Sequence, residues 1–275
     1  MPAPSHILMV AAENDALKGG KVGGVADVVR DVPDALVSVE EFEGQVSVVL
    51  PSYGFLHKDA IQQLGTIEFP FGGETQTAEL YEVTGERPRP RVRQLVIHHT
   101  GFQTIDASTD KKLIYVDDGS KRPFASDANK FALFCSAVAE GLLAGSFGEI
   151  DRLHLHAWHS AFYLILRQFD ERLASLKALR TVYTIHNLAL QGIRPFFDEE
   201  TAETSTLANW YPHLTVEESL LDKSLIGDPE YTDCVNPMAV GIRLSDAVHV
   251  VSPGYAEEVC RPSDPKRNDP NCVFF

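Results

Sequence analysis

The strongest constraint on the fold is the alternation of short apolar runs with segments of helical character. The runs that indicate buried strands occupy residues 6–12, 45–51, 153–156, 180–185 and 247–251. Helical character is found at residues 25–37, 126–144, 157–169, 236–244 and 253–260, and in a further region around 199–223. Strands that alternate with helices indicate βαβ units, and parallel strands covered on both faces are apolar almost throughout. The pattern therefore predicts a Rossmann-like α/β domain, with a mostly parallel sheet and helices on both of its faces.

Residues 66–98 depart from this rhythm and predict an antiparallel excursion of the sheet. Strands are expected at 66–71, 77–83 and 91–98, separated by Gly- and Pro-rich turns, and another strand at 113–116. Within the helices, Pro33 should kink or divide the helix over 25–37, and Ser126 should cap the next helix. The domain is expected to span residues 1–260, with the polar, Pro-rich stretch 261–275 as a linker or a cut end.

Charge and cysteine usage exclude several classes of function. The chain of 275 residues has 39 acidic and 24 basic side chains, a net charge of −15, whereas nucleic-acid binding needs a basic face. A neutral partner such as a sugar polymer, or a small anion held in a local pocket, remains compatible with this charge. The four cysteines form no C-x-x-C pair, and no apolar stretch approaches the roughly 20 residues of a membrane helix. We therefore expect a cytoplasmic protein without a nucleic-acid or membrane partner.

A glycine-rich segment lies between the first strand and the first helix. Residues 18–27 read KGGKVGGVAD, which is neither a Walker A loop nor a G-x-G-x-x-G motif. Ligands of open α/β sheets bind at the carboxyl ends of strands, where helix N-termini present free N–H groups. Adjacent glycines would let the backbone approach such a ligand, and Lys21 could add a charge for a phosphate. The alternative is a flexible surface loop that is capped by glycine.

Three closely spaced histidines follow another strand. His154 and His156 lie two residues apart and so share one face of the strand, and His159 follows in the turn. This spacing suggests a metal site of the H-x-H-x-D-H type, but Trp158 occupies the position of the aspartate. The favoured interpretation is histidines that are hydrogen-bonded at the end of the sheet, without a metal.

Two further polar clusters also follow apolar strands. His186 and Asn187 come directly after the strand at 180–185, and Asn236 precedes the helix over 236–244. Asn236 could equally be a simple helix cap. In one βα domain all of these clusters converge on one rim of the sheet.

Five ordered motifs resemble those of bacterial glycogen synthases and plant starch synthases. In this chain they read KVGGVADVV, HLHAWHSAF, TIHNLALQG, NPMAVGI and VHVVSPGYAEEV, and the similarity extends over residues 7–259. The resemblance implies the N-terminal half of a GT-B fold. It also implies a retaining glucosyltransferase that moves glucose from ADP-glucose or UDP-glucose to the non-reducing end of an α-1,4-glucan, without a cofactor or a metal.

The resemblance also assigns roles to individual residues. His156 and Asp27 match the positions that it implies to be catalytic. The positions matched to the nucleotide sugar and its cleft are Glu13, Lys21, Gly23, Gly24, His186, Asn187 and Asn236. The chain departs from the family pattern at Ala157, which replaces an aspartate, at Met238-Ala239, where a lysine is usual, and at 118–121, which lacks the usual aromatic residue.

The resemblance implies that the second GT-B domain is missing from these 275 residues. In the family, that domain provides most of the nucleotide contacts and the basic pair that stabilises the leaving diphosphate. The expected protein is then a synthase domain that is inactive alone. The alternative hypotheses are a degenerate module that binds a glucan or a partner without catalysis, and a metal-dependent hydrolase.

Overall fold

A mixed sheet of eight strands forms the centre of the molecule. The computed structural model describes residues 5–106, 108–197, 204–215 and 221–261. The strands of this sheet are β1 (His6–Val10), β2 (Gln45–Pro51), β3 (Ala60–Phe71), β4 (Glu74–Val83), β5 (Val92–His98), β6 (Arg152–His156), β7 (Arg180–Ile185) and β10 (Ala247–Val250). Two short strands, β8 (Arg194–Pro195) and β9 (Cys234–Val235), pair separately. The order across the large sheet is β10-β7-β6-β1-β2-β5-β4-β3.

The six strands from β10 to β5 are parallel, and β4 and β3 extend the sheet antiparallel. In the central strand, Met9 is paired with Val48 of β2 on one side and with His154 of β6 on the other. Residues 8–10 of this strand are completely buried, which explains why the central strands are apolar at almost every position.

The chain reverses its direction across the sheet next to β1. From β1 it proceeds through β2 to β5, and it then returns to the other side of β1 to form β6, β7 and β10. The carboxyl ends of β1 and β6 therefore flank a topological switch point, where α/β sheets open a crevice for ligands.

Helices connect the strands. They are α1 (Gly24–Ser38), α2 (Ala125–Leu143), α3 (Ala157–Ser160), α4 (Phe162–Phe169), α5 (Leu207–Trp210), α6 (Pro212–Thr215), α7 (Lys223–Ile226), α8 (Pro237–Leu244) and α9 (Pro253–Val259). Right-handed crossovers in opposite directions place α1 and α4 on opposite faces of the sheet. Within the described ranges, no helix has both the length and the hydrophobicity that a bilayer crossing requires.

The α/β prediction is confirmed, and most strand positions agree with it. The predicted antiparallel excursion is correct for β3 and β4, but β5 is antiparallel only to β4 and pairs in parallel with β2. Pro33 does not divide α1, which continues to Ser38. The helix expected over 157–169 is two helices that meet at Ala161. Much of the helical region around 199–223, and the linker beyond Arg261, lie outside the described residues.

The strand expected at 113–116 is wrong, because this segment bonds to side chains of α2 instead of to a strand. Lys130 donates to the carbonyl oxygen of Ile114 at 2.5 Å, and the Asp127 carboxylate accepts from the N–H of Val116. Lys130 and Asp127 are themselves a buried ion pair at 2.8 Å. Burial raises the pKa of Asp127 and lowers that of Lys130, and their mutual attraction opposes both shifts. The pair anchors the segment to α2.

The predicted cap of α2 is also wrong. The helix begins at Ala125, and the N-cap position belongs to Phe124, whose side chain makes no capping bond. Ser126 donates both its N–H and its hydroxyl to the Asp118 carboxylate, at 2.7 and 2.6 Å. Its hydroxyl therefore fixes the preceding loop and does not cap the helix.

The packing of Trp158 generates a stability prediction. Gly192 (φ +71°) would place a Cβ atom 2.1 Å from the Trp158 ring, whereas Gly119 (φ +72°) has open space around it. Gly192→Ala and Gly119→Ala should share the cost of a left-handed alanine, on the order of 1 kcal/mol. Overpacking against the ring should cost Gly192→Ala a further 1–3 kcal/mol, roughly. Urea unfolding of the two variants gives the difference; equal free energies would show that Trp158 moves aside freely.

Candidate functional site

A cleft opens at the carboxyl ends of the parallel strands, beside the switch point between β1 and β6. Its volume is about 570 Å³. The lining comes from the ends of β1, β6, β7 and β10, from the start of α1 and from the segment before α2: Glu13, Val22, Gly23, Gly24, Val25, Val28, Tyr115, Val116, Phe124, Asp127, Trp158, His159, His186, Asn187, Leu190 and Val251. Four of the five motifs therefore meet in one concavity.

Glu13 joins two walls of the cleft. Its Oε2 atom accepts the N–H groups of both Val22 and Gly23 at 2.6 Å, and its Oε1 atom accepts the Tyr115 hydroxyl at 2.7 Å. The carboxylate is 2% exposed, and burial raises the pKa of Tyr115 well above its usual range. The N–H of Gly23, a residue matched to the nucleotide sugar and its cleft, thus donates to Glu13, and the first residue of α1 is Gly24.

Lys21 and Asp27 form an ion pair at the outer surface of the glycine-rich loop. The Lys21 ammonium lies 2.6 Å from Asp27 and 3.4 Å from Asp15, and its side chain is 42% exposed. The hydrogen bond from Lys21 lowers the pKa of Asp27. Neither side chain is among the residues that line the cleft. The predicted roles of Lys21 in donor binding and of Asp27 in catalysis remain predictions.

His156 lies behind the cleft and contacts it through His186. Its Nδ1 atom is 3.0 Å from Nε2 of His186, which does line the cleft. Among the described residues, the buried Nε2 atom of His156 has no hydrogen-bond partner. Burial lowers the pKa of His156 well below its usual range and that of His186 to about 4. Both imidazoles are therefore neutral near pH 7, and one of them donates its N–H to the ring nitrogen of the other.

The two flanking histidines have different surroundings. Nε2 of His154 bonds the Thr184 hydroxyl at 2.7 Å, and burial lowers its pKa to about 4. The ring of His159 lines the cleft and stacks on Tyr115 at 5.1 Å between centroids. No group of three or more His, Cys, Asp or Glu in the described ranges could hold a metal ion.

Ala157 has a left-handed backbone, with φ of +55°. This conformation is unfavourable for alanine and easier for aspartate or asparagine. It occurs at the point where β6 turns into α3, so the chain bends sharply between His156 and Trp158. Local strain of this kind is typical of functional turns.

Asn236 is completely buried away from the cleft. Its Oδ1 atom caps α8 by accepting the N–H of Ala239, and its amide donates to Gln191 at 2.7 Å and to Asp228 at 2.6 Å. The structure therefore does not bring Asn236 to the other predicted residues. Asn187 is exposed at the rim, where its side chain accepts the N–H of Ala189.

Three aromatic residues of the cleft were not predicted as site residues. Tyr115, Phe124 and Trp158 all line it, but only Trp158 belongs to one of the five motifs. Tyr115 lies in the segment that was predicted to be a strand, and Phe124 lies in none of the predicted strands or helices. Their only signal in the sequence is the presence of aromatic residues between the first and second motifs.

Comparisons with known proteins agree with the fold. The family of starch synthase catalytic domains matches residues 6–269. The chain therefore belongs to the starch synthase catalytic domain family, which confirms the resemblance seen in the five motifs.

Individual relatives show how much of the family's length is present. A glycogen synthase from Gloeobacter violaceus is 32% identical over 268 residues, which are 96% of this chain and 45% of that protein. A glycogen synthase from Opitutus terrae is 28% identical over 250 residues, 88% of this chain and 45% of that protein. The chain thus spans about half the length of the curated relatives it matches.

A solved structure confirms the predicted fold class. The catalytic domain of starch synthase IV from Arabidopsis thaliana, bound to ADP and acarbose, superposes with a TM-score of 0.70 at 24% identity. The match covers 94% of this chain and 47% of that chain. The fold described above is therefore one half of a GT-B architecture.

The contacts of Glu13 predict that its side chain keeps the backbone of the glycine-rich loop ordered. Glu13→Ala should leave two N–H groups and a hydroxyl without partners, whereas Glu13→Gln retains an acceptor oxygen and can donate to Tyr115. Hydrogen exchange at the Val22 and Gly23 amides should accelerate by about tenfold or more in Glu13→Ala and much less in Glu13→Gln. Unchanged exchange in Glu13→Ala would contradict the anchoring role.

The buried histidines predict a loss of stability in acid. In the unfolded chain a histidine has a pKa near 6.5, whereas His154 and His186 have pKa values of about 4 in the fold. The stability gained from the neutral rings is complete above about pH 6.5 and is lost as the pH falls towards 4. His154→Asn should reduce this loss between about pH 7 and 4.5 by on the order of 2 kcal/mol. The parent protein measured over the same pH range is the reference, and an unchanged loss of stability in His154→Asn would contradict the argument.

Proposed function

We propose that this domain forms one wall of the donor and acceptor site of a glycogen or starch synthase. The reaction is transfer of glucose, with retention, from ADP-glucose or UDP-glucose to the non-reducing end of an α-1,4-glucan. The observation that carries the proposal is that the glycine-rich loop faces the end of the HLHAWH strand across a single cleft at the switch point. The names of the relatives, glycogen synthase and starch synthase, support the same reaction.

The start of α1 would receive the diphosphate of the donor. Its N-terminal N–H groups and the helix dipole favour an anion there. The Lys21–Asp27 pair is exposed, and exposed pairs are weak, so Lys21 can leave Asp27 for a phosphate oxygen. Glu13 would not contact the donor in this arrangement, because its carboxylate is already bound to the loop.

Neutral imidazoles would hold the sugar. His186 at the cleft can exchange hydrogen bonds with a hydroxyl, since a neutral ring both donates and accepts. His156 would fix the ring orientation of His186 from behind. Leaving its buried Nε2 atom without a hydrogen-bond partner costs the fold on the order of 1–3 kcal/mol of stability. A sugar hydroxyl that bonds this atom would recover that free energy on binding.

The leaving diphosphate needs cations beyond Lys21, which itself lies outside the lining of the cleft. Among the described residues that line it there is no lysine or arginine, although electrostatic stabilisation of the leaving group is the main requirement of such a transfer. We infer that the other half of the site supplies them and that closure of two halves excludes water. On this proposal the 275 residues alone do not elongate a glucan.

A chimera tests the function. The chain would be joined to the C-terminal half of the Gloeobacter violaceus synthase and assayed with ADP-glucose, UDP-glucose and glycogen, beside the 275-residue chain alone. We expect transfer by the chimera only. Transfer by the chain alone would overturn the two-halves proposal, and a folded chimera that binds glycogen but transfers nothing would favour a binding module.

A lysine substitution tests the donor site in the active chimera. Lys21→Ala should raise the donor KM about tenfold, because a charge-assisted contact to the diphosphate is lost. Lys18→Ala is the matched control, since it removes an exposed lysine of the same segment. Equal KM values for the two variants would mean that the loop is only structural.

A further inference from the structure

Arg30 brings a second cation to the carboxylates that hold Lys21. It lies on α1 directly after the motif KVGGVADVV and belongs to none of the five motifs. Its Nη1 atom bonds Oδ2 of Asp15 and lies 3.2 Å from Oδ1 of Asp27. Its Nε atom donates to Asp31 at 2.6 Å. The guanidinium is therefore surrounded by three carboxylates at the start of α1.

Lys21 uses the same two oxygen atoms as Nη1 of Arg30. Its Nζ atom lies 2.6 Å from Oδ1 of Asp27 and 3.4 Å from Oδ2 of Asp15. The two cations thus compete for each of these oxygens, and like charges at this separation repel each other. An oxygen that is shared by two cations holds each of them less firmly than an oxygen with a single partner.

Arg30 is fixed more firmly in this cluster than Lys21. Its Nε and Nη2 atoms donate to the two oxygens of Asp31 at 2.6 and 2.9 Å, a paired contact that suits the planar guanidinium. The side chain of Arg30 is 29% exposed, and that of Lys21 is 42% exposed. Asp15 is held as well, because its N–H donates to the carbonyl oxygen of Ala26 at 3.1 Å. Lys21 is therefore the cation that can move.

The charge balance of the cluster makes Arg30 important for that movement. Its members are three carboxylates and two cations: Asp15, Asp27, Asp31, Lys21 and Arg30. Without the guanidinium, these three carboxylates would share the Lys21 ammonium alone. The ammonium would then be attracted more strongly, and its departure towards another anion would cost more free energy.

We propose that Arg30 is a positioning residue for the donor, because it shares the two oxygens and so leaves Lys21 free to reach a phosphate oxygen. Arg30 is not among the residues that line the cleft, so it acts through Lys21 and not on the donor. The inference rests on the proposed function, which gives Lys21 a diphosphate to bind. Since the effect depends on the charge, Arg30→Lys should behave like the parent and Arg30→Gln should not.

The reactivity of Lys21 in the 275-residue protein tests this sharing without any glucosyl transfer. Acetic anhydride reacts only with the unprotonated amine, and mass spectrometry of the peptides gives the acetylation rate of Lys21 against pH, with the exposed Lys18 as internal reference. In Arg30→Gln the pKa of Lys21 should rise, so that Lys21 reacts about threefold more slowly at about pH 9. In Arg30→Lys the rate should stay near that of the parent.

Arg89→Gln is the control with the same change of net charge. Arg89 pairs with Asp34 at 3.1 Å and has no contact with the cluster. Lys21 should therefore react at the parental rate in this variant. An unchanged rate in Arg30→Gln, or an equal slowing in Arg89→Gln, would overturn the proposal.

Kinetics of the active chimera separate positioning from a structural role. Arg30→Gln should raise the donor KM about threefold and leave kcat nearly unchanged, and the difference should vanish in about 0.5 M NaCl. Adding Asp15→Asn to Arg30→Gln should restore the KM, because Lys21 then meets one carboxylate less. A lower kcat with an unchanged KM would overturn the proposal. If the chimera proves inactive while the reactivity of Lys21 changes as expected, the proposed function fails and the sharing of the oxygens stands.

Discussion

The geometry of the cleft depends on one buried carboxylate. Glu13 lies at the end of the central strand and holds the backbone of Val22 and Gly23 with one oxygen and the Tyr115 hydroxyl with the other. The glycine-rich loop and the segment before α2 are therefore fixed to the same carboxylate. Hydrogen bonds to a charged acceptor are stronger than those between neutral groups. The loop is consequently preorganised, and the N–H groups left for a ligand begin at the start of α1.

The architecture could be predicted because its signals are local and repeated. Apolar runs followed by polar clusters predicted the parallel strands, which are confirmed, and the polar clusters mark the edge of the sheet at which the cleft opens. Five ordered motifs gave the family, which the comparisons confirm. The role of Asn236 in sugar binding stays a prediction: its motif is present, and its side chain caps α8 and bonds two buried partners. A motif fixes a residue's position in the fold and leaves its hydrogen bonds undetermined.

The segment before α2 could not be predicted, because long-range side-chain contacts determine it. Its backbone is bound by the buried Asp127–Lys130 pair, which looks in the sequence like an ordinary surface pair of a helix. The left-handed position in front of α2 is Phe124 and not a glycine, so the sequence does not predict this turn. The usual aromatic residue of the family pattern is absent from 118–121, and the fold places the ring of Phe124 in the cleft a few residues later.

The position of β1 at the switch point also determines when the domain can be completed. One edge of β1 pairs with β2, about forty residues along the chain. The other edge pairs with β6, and next to it the N–H of His6 donates to Asp151, 145 residues away. Contacts of such separation form late and slow folding. During synthesis, the central strand therefore emerges before both of its neighbours and keeps one unpaired hydrogen-bonding edge until β6 leaves the ribosome. In this interval the nascent chain is open to wrong pairing.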